Sequence, residues 1–308
     1  MLLETIRGLN VKPDGVYVDG TLGGGGHSER ILEMLANGRL IGIDRDAEAI
    51  EAARGRLSRF GCRFEAVHGN FAELNDILEA RSIGEIDGIV FDLGVSSHQI
   101  DTPGRGFSYS ASAPLDMRMD RRENADAGDI INGYDENRLT EIFFKYGEER
   151  YSKRIAKAIV ESRQRKKIET TSQLADIINK ALPVKARYDD GGHSARRIFQ
   201  AVRIEVNREL DALKTALSLA TRRLAVGGRI CAISFHSLED RLVKCFFRDE
   251  SNPCKCPRDF PVCACGKLPS LNIVTKKALR PCEAEIASNA RAHSAKLRIA
   301  ERTGHNKN

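Results

Sequence analysis

The sequence has no tryptophan, and aromatic residues make up only 6% of it. That scarcity argues against a platform of stacked rings for single-stranded nucleic acid, so any RNA contact must rest on arginine and lysine. No stretch has the apolar length that spans a bilayer, and the opening MLLETIRGLN lacks a basic segment followed by an apolar run. A cytoplasmic protein with no membrane partner is expected. Without a secretory signal, the eight cysteines read as reduced thiols rather than a disulfide framework. A P-loop is missing too: its last glycine must be followed by Lys and then Ser or Thr, and His27 occupies the lysine position. Nucleoside triphosphate hydrolysis is thereby set aside.

What remains is 308 residues, 41% hydrophobic and 30% charged, enough for one or two domains with a sizeable core. The net charge of +6 permits a nucleic-acid partner without requiring one.

The stretch from Gly15 to Leu32 organises the chain. Val16, Tyr17 and Val18 read as a buried strand, four consecutive glycines as a tight turn, and Ser28 onward as a helix with Ile31, Leu32 and Leu35 on one face. Glycine admits positive φ and lets a ligand press on bare backbone, while the first N–H groups of the helix point at it. Asp19 closes the strand before any glycine, unlike a dinucleotide fingerprint; it would crowd a pyrophosphate but accept hydrogen bonds from an ammonium group.

A second strand, Leu40 to Ile43, ends in Asp44, placed to grip ribose hydroxyls, while Asp46 caps the helix from Ala47 to Leu57. A third, Arg63 to Val67, leads to Asn70 and Phe71, which either packs on an adenine ring or belongs to the core. The fourth, IDGIVFD, ends in Asp92 and is followed by Ser96, Ser97 and Gln99. Asp19, Asp44, Phe71 and Asp92 would then line one edge of a parallel sheet, where open α/β sheets bind ligands.

Strand–helix alternation stops after Gln99. A loop rich in Gly, Pro, Ser and charge precedes helical patterns at Leu139–Tyr146, Ile155–Ile159 and, after a cap at Thr171, Leu174–Ala181. Residues 104–197 are read as a helical insertion. Its run KRIAKAIVESRQRKKIE is either a face for a phosphate backbone or an ordinary solvated face. The sheet resumes after a helix carrying Leu210, Leu213, Leu217 and Leu224, a stop at Gly227-Gly228, and a fifth strand from Arg229 to Phe235. Ser237 and Asp240 suggest a capping box, putting His236 at a turn where it faces either the site or solvent. LNIVTKKALRP and SAKLRIAERT read as a final antiparallel pair. Cys254, Cys256, Cys263 and Cys265 form C-x-C-x6-C-x-C, read either as a structural metal site with an unusually tight bite or as reduced cysteines in an exposed loop.

Taken together, DGTLGGGGHS, GIDRD, GNF, DLGVSSHQID, RGFSY with PLDMRMD, FQAVRIEVNREL and GGRICAISFHSLEDRLVK resemble the bacterial ribosomal RNA small subunit methyltransferase H family, in order from Leu2 to Arg302. The resemblance implies an α/β, Rossmann-like S-adenosylmethionine-dependent methyltransferase domain, 1–103 with 198–308, and an inserted helical substrate-recognition domain, 104–197. It implies methylation of the exocyclic N4 amine of a decoding-region cytidine in 16S ribosomal RNA, presented within the small ribosomal subunit, by a monomer or homodimer. The cofactor positions it implies are Gly25, Gly26, His27, Asp44, Phe71, Asp92 and Gln99, with Asp19 shaping the loop. It lends no support to zinc at the cysteines, and no metal ligand is assigned. The D/N-P-P-Y/F/W motif common in base amine methyltransferases is absent, DLGV standing in its place. Asp92 is the expected catalytic proton acceptor; Ser96, Ser97 and His236 are the other candidates, and Arg105, Phe107, Met117 and Arg118 are expected to line a pocket for the target base. The alternative is a methyltransferase acting on another RNA, a small molecule or a protein.

Overall fold

Alternate residues of the strands belong to different cores. Val18, Ile41, Ile89, Phe91, Ile230 and Ala232 pack in one cluster, while Tyr17, Leu40, Val90, Cys231 and Ile233 pack in another. Successive side chains on a strand point to opposite faces, so these strands form a sheet buried on both sides. A computed structural model describes residues 1–189, 193–257 and 265–304. The chain divides into two units, Met1–Gly94 with Leu210–Asn308, and Val95–Glu209.

The first unit holds seven strands: β1 (Val16–Asp19), β2 (Arg39–Asp44), β3 (Phe64–His68), β4 (Ile86–Asp92), β5 (Leu224–Ser234), β6 (Leu271–Ile273) and β7 (Lys296–Arg302). Their order is β3-β2-β1-β4-β5-β7-β6. The first five pair in parallel, and β7 runs antiparallel to both β5 and β6. Helices Leu2–Leu9, Gly26–Met34 and Ala47–Leu57 cover one face, and Leu74–Glu79, Glu209–Arg223 and Ser237–Ser251 the other. The fold is a Rossmann-like α/β sheet. Its strand order reverses beside β1, which puts the crevice at the carboxyl ends of β1 and β4.

Three expectations need correcting. Leu224 opens β5 instead of closing a helix, and the glycine pair lies inside that strand. Gly227 takes φ +79, the ladder to β4 shifts register between Ile86 and Gly88, and a Cβ on Gly228 would lie 2.9 Å from the Ala225 carbonyl oxygen. The pair is a bulge that continues the strand, not a stop. The penultimate strand keeps only Leu271–Ile273, after which the chain leaves β7 and rejoins it by one bridge from Leu279 to Leu297. Thr170, not Thr171, caps the helix Thr171–Ala181, in a capping box with Gln173. The Thr171 hydroxyl instead donates to the Ala111 carbonyl and accepts from the Ala113 N–H, pinning the irregular loop.

The second unit is helical. Ala127–Gly133, Glu136–Gly147, Ser152–Arg165, Thr171–Ala181 and His193–Asn207 close on Ile130, Leu139, Phe143, Ile155, Ile159, Leu174, Ile178 and Ile198. It also takes in the short helix Ser97–Asp101. Among the described residues no helix is long and apolar enough to cross a membrane.

Candidate active site

Because β1 to β5 run parallel, their last residues gather at one edge: Asp19, Asp44, His68, Asp92 and Ser234. Asp19 is buried and accepts from the Ser28 hydroxyl at 2.7 Å and the Thr21 N–H at 3.2 Å. It therefore ties the glycine loop to the first turn of the helix behind it. Gly25, at φ +76, caps that helix in a conformation that L residues avoid. A Cβ on Gly24 or Gly26 would meet nothing within 4 Å. The backbone there borders open space.

Asp44 receives the Gly23 N–H at 2.7 Å and the Asp46 N–H at 2.9 Å. These bonds fix the carboxylate across the mouth of the loop. Burial nevertheless raises its pKa, with the N–H groups of Asp46, Gly23 and Arg45 opposing. A carboxylate accepts about four hydrogen bonds, so capacity for a ligand hydroxyl remains. Phe71, partly buried, meets Phe91 edge-on at 5.6 Å, and the Arg45 guanidinium lies 5.7 Å from its centroid. The ring is thus fixed next to the ends of β2 and β3 by core on one side and a cation on the other.

His27 sits on the first turn of the helix Gly26–Met34, its Nδ1 3.5 Å from Asp92 Oδ2. Burial lowers its pKa, against the attraction of Asp19, so the ring is neutral at pH 7. The contact is accordingly not a full ion pair. Asp92 has its pKa pushed up to about 6, chiefly by burial and further by the nearby Glu239. Its side chain still keeps 33% of its surface open, so it is deep in the protein but not sealed. The Thr21 hydroxyl accepts the Asp92 N–H at 2.6 Å and holds the strand end to the glycine loop. Among the described residues Asp92 Oδ1 and His27 Nε2 are buried without a hydrogen-bond partner. Orphaned polar atoms are costly, and two of them on neighbouring residues mark a place for a polar ligand.

His236 follows the end of β5 by two residues and is not solvent-facing. It is the N-cap of Ser237–Ser251, its Nδ1 receiving the Glu239 N–H, while Glu239 Oε2 accepts the N–H groups of Phe235 and His236. The capping box is therefore His236 with Glu239, displacing Ser237 and Asp240; Asp240 instead pairs with Lys296 and Arg298. The Nε2 atom of the His236 ring is buried; it lies 3.1 Å from Glu239 Oε1 but makes no hydrogen bond among the described residues.

The remaining candidates belong to the helical unit. Ser96 caps Ser97–Asp101 in a box with Gln99, which is buried; Ser97 is exposed. Arg105, expected at a base pocket, is 1% exposed, and its guanidinium donates to the carbonyls of Arg118 and Met119. Arg118 grips Asp116 through Nε at 2.7 Å and Nη2 at 3.0 Å. Met117 is buried at φ +57, held by the Arg105 carbonyl and by Asn207. Phe107 packs on the helical core with Arg105 over its ring. This loop is a self-clamped structure in which both arginines spend their donors on its own backbone and carboxylates. Thr21 and Glu239 were not singled out from sequence. A hydroxyl before a glycine run and a glutamate in a first turn have no distinctive signature.

The sequence profile of the MraW methylase family matches residues 1–303. A protein of Carboxydothermus hydrogenoformans named Ribosomal RNA small subunit methyltransferase H is 53% identical over 302 residues, covering 98% of this chain and 96% of that one. A protein of the same name from Caldicellulosiruptor bescii is 54% identical over 303 residues, covering 98% and 97%. With a match over nearly its whole length on top of the strand-end constellation, the chain belongs to the MraW methylase family.

Proposed function

We propose that this protein transfers the methyl group of S-adenosylmethionine to the exocyclic N4 amine of a decoding-region cytidine in 16S ribosomal RNA, and that it acts on the RNA within the small ribosomal subunit. The observation that carries the reading is the pair of orphaned buried atoms, Asp92 Oδ1 and His27 Nε2, beside a glycine loop backed by Asp44 in a chain of this family.

The strand edge fits the cofactor. Gly25 and Gly26 give bare backbone, Asp44 accepts ribose hydroxyls, Phe71 packs on adenine, and His27, Asp92 and Gln99 supply polar partners for the amino-acid portion. When bound, S-adenosylmethionine supplies an activated methyl group on a sulfonium. The protein's task is then alignment, worth more here than any group it contributes covalently. The cytosine amine is a poor nucleophile because its lone pair is delocalised into the ring. A carboxylate accepting one amine proton restores that pair, and Asp92 stands at the right strand end to do so. Ser96 and Ser97, one and two residues past the Asp92 loop, are assigned to the substrate side, with Phe107, Met117 and Arg118 as the loop that shapes it. His236 and Arg105 act as positioning residues, through Glu239 and through the Arg118 and Met119 carbonyls respectively. The helical unit is the RNA reader, its basic helix Ser152–Arg165 exposing Lys153, Arg154, Lys157 and Arg165 while Ile155 and Ile159 are buried.

The test is methyl transfer from labelled S-adenosylmethionine to unmethylated small subunits and, in parallel, to naked ribosomal RNA, with the nucleosides identified by mass spectrometry. N4-methylcytidine at one site, abolished by Asp44→Ala, is the expected result. Intact cofactor binding with no label in either RNA preparation would remove the ribosomal substrate and leave the methyltransferase fold.

A further inference from the structure

The connection between the helix Ser237–Ser251 and β6 is long and, among its described residues, none is buried before Ser270. Among the described residues of this connection there is no helix or strand, and a segment with so little apolar burial needs a source of order other than an apolar core. Its ends are already tied: the Ser270 N–H donates to the Glu250 carbonyl at 3.0 Å, and the Thr303 N–H to the Ser270 carbonyl at 3.0 Å. The loop between them carries Cys254, Cys256 and Cys265, whose Sγ atoms all lie within 4.8 Å of one another.

We propose that Cys254, Cys256 and Cys265 hold a structural zinc ion. Thiolates bound to zinc at about 2.3 Å in a tetrahedron stand about 3.8 Å apart, so sulfurs within this reach close on a metal with small adjustments. Three thiolate donors, with no histidine or carboxylate in the cluster among the described residues, select a soft, tetrahedral ion. A structural zinc takes four ligands. Three of them are these cysteines; Cys263, the remaining cysteine of the sequence pattern, lies outside the described residues. Lys255 and Lys267, adjoining the cysteines in sequence, offset the negative charge of a zinc thiolate. On binding, each thiol passes its proton to solvent as its S–Zn bond forms, and nothing is oxidised or reduced. The site closes the loop as a clip, so its role is to order the segment that leads into the sheet edge.

The test is metal analysis of the full chain purified under reductant without chelator. About one zinc per chain is expected, falling below about a tenth in Cys254→Ser and in Cys265→Ser. Cys62→Ser and Cys282→Ser, at exposed cysteines outside the cluster, keep the wild-type content. Stripped wild-type protein titrated with cobalt(II) should develop the visible absorption of a tetrahedral thiolate complex, saturating near one equivalent. This measurement decides the matter if the serine variants do not fold. Zinc below about a tenth in wild type with no cobalt thiolate band overturns the site. So does zinc that survives both serine changes, or iron with acid-labile sulfide in its place.

Discussion

A carboxyl group that keeps its proton up to about pH 6 changes both stability and chemistry in a defined window. Between its ordinary value of 3.8 and about 6, folded Asp92 binds a proton that the unfolded chain has released. Stability therefore falls as pH rises through that window, and in Asp92→Asn, followed by chemical denaturation, the fall should vanish. Activity runs the other way, since an acceptor must be ionised: methyl transfer should drop below about pH 6, and Asp92→Asn should lose roughly 10²- to 10⁴-fold in kcat with no acid limb left. A full-strength acid limb in the Asn variant would put the acceptor elsewhere. For Asp44→Ala, calorimetry should show cofactor affinity weakened about 10- to 100-fold, the worth of hydrogen bonds to a charged group. These residues were legible in sequence because each is an acid that ends an apolar strand. Arg105 was not, because an arginine in a glycine-rich, charged loop reads as exposed whereas its guanidinium is consumed by two carbonyls of the same loop.

Among the elements, the glycine turn after β1 separates ligand space from packing space. Gly26 has no positive φ, and a Cβ there meets nothing within 4 Å. Gly26→Ala should therefore leave thermal unfolding unchanged within about 0.5 kcal/mol while weakening the cofactor. At Gly20, by contrast, a Cβ would lie 2.8 Å from the Phe91 ring, so Gly20→Ala should destabilise by about 1–3 kcal/mol. Unfolding curves and cofactor titrations on both variants check the pair; equal losses of stability would erase the distinction. Strands and helices of the sheet were readable from apolar runs of the right length. The caps were read one residue out of place, at Thr171 for Thr170 and at Ser237 for His236. At the first, the Thr171 hydroxyl is taken up by Ala111 and Ala113 of the irregular loop, which leaves the cap to Thr170.

For the molecule as a whole, the basic helix belongs to a unit whose core excludes its charges. Replacing Lys153, Lys157, Lys166 and Lys167 by Glu should leave unfolding unchanged and flatten the salt dependence of RNA binding, by about 0.7–0.9 in slope for each phosphate the face no longer neutralises. An unaltered salt slope would make that face merely solvated. The break in strand–helix alternation made an insertion visible, but its limits depend on which distant segments pack together, and the units divide at 94/95 and 209/210. That topology also sets an order of events in time. β4 pairs with β5 from Ile86 to Leu224, and the Arg229 side chain on β5 donates to the Gly8 carbonyl of the first helix. During synthesis the first four strands must therefore wait, with the β4 edge unpaired, until the whole helical unit has left the ribosome. A helical unit held by local packing folds quickly, and once folded it shortens the effective loop that β5 must close. The helical insertion is thus a kinetic device, turning a slow, distant strand pairing into the docking of a nearby one.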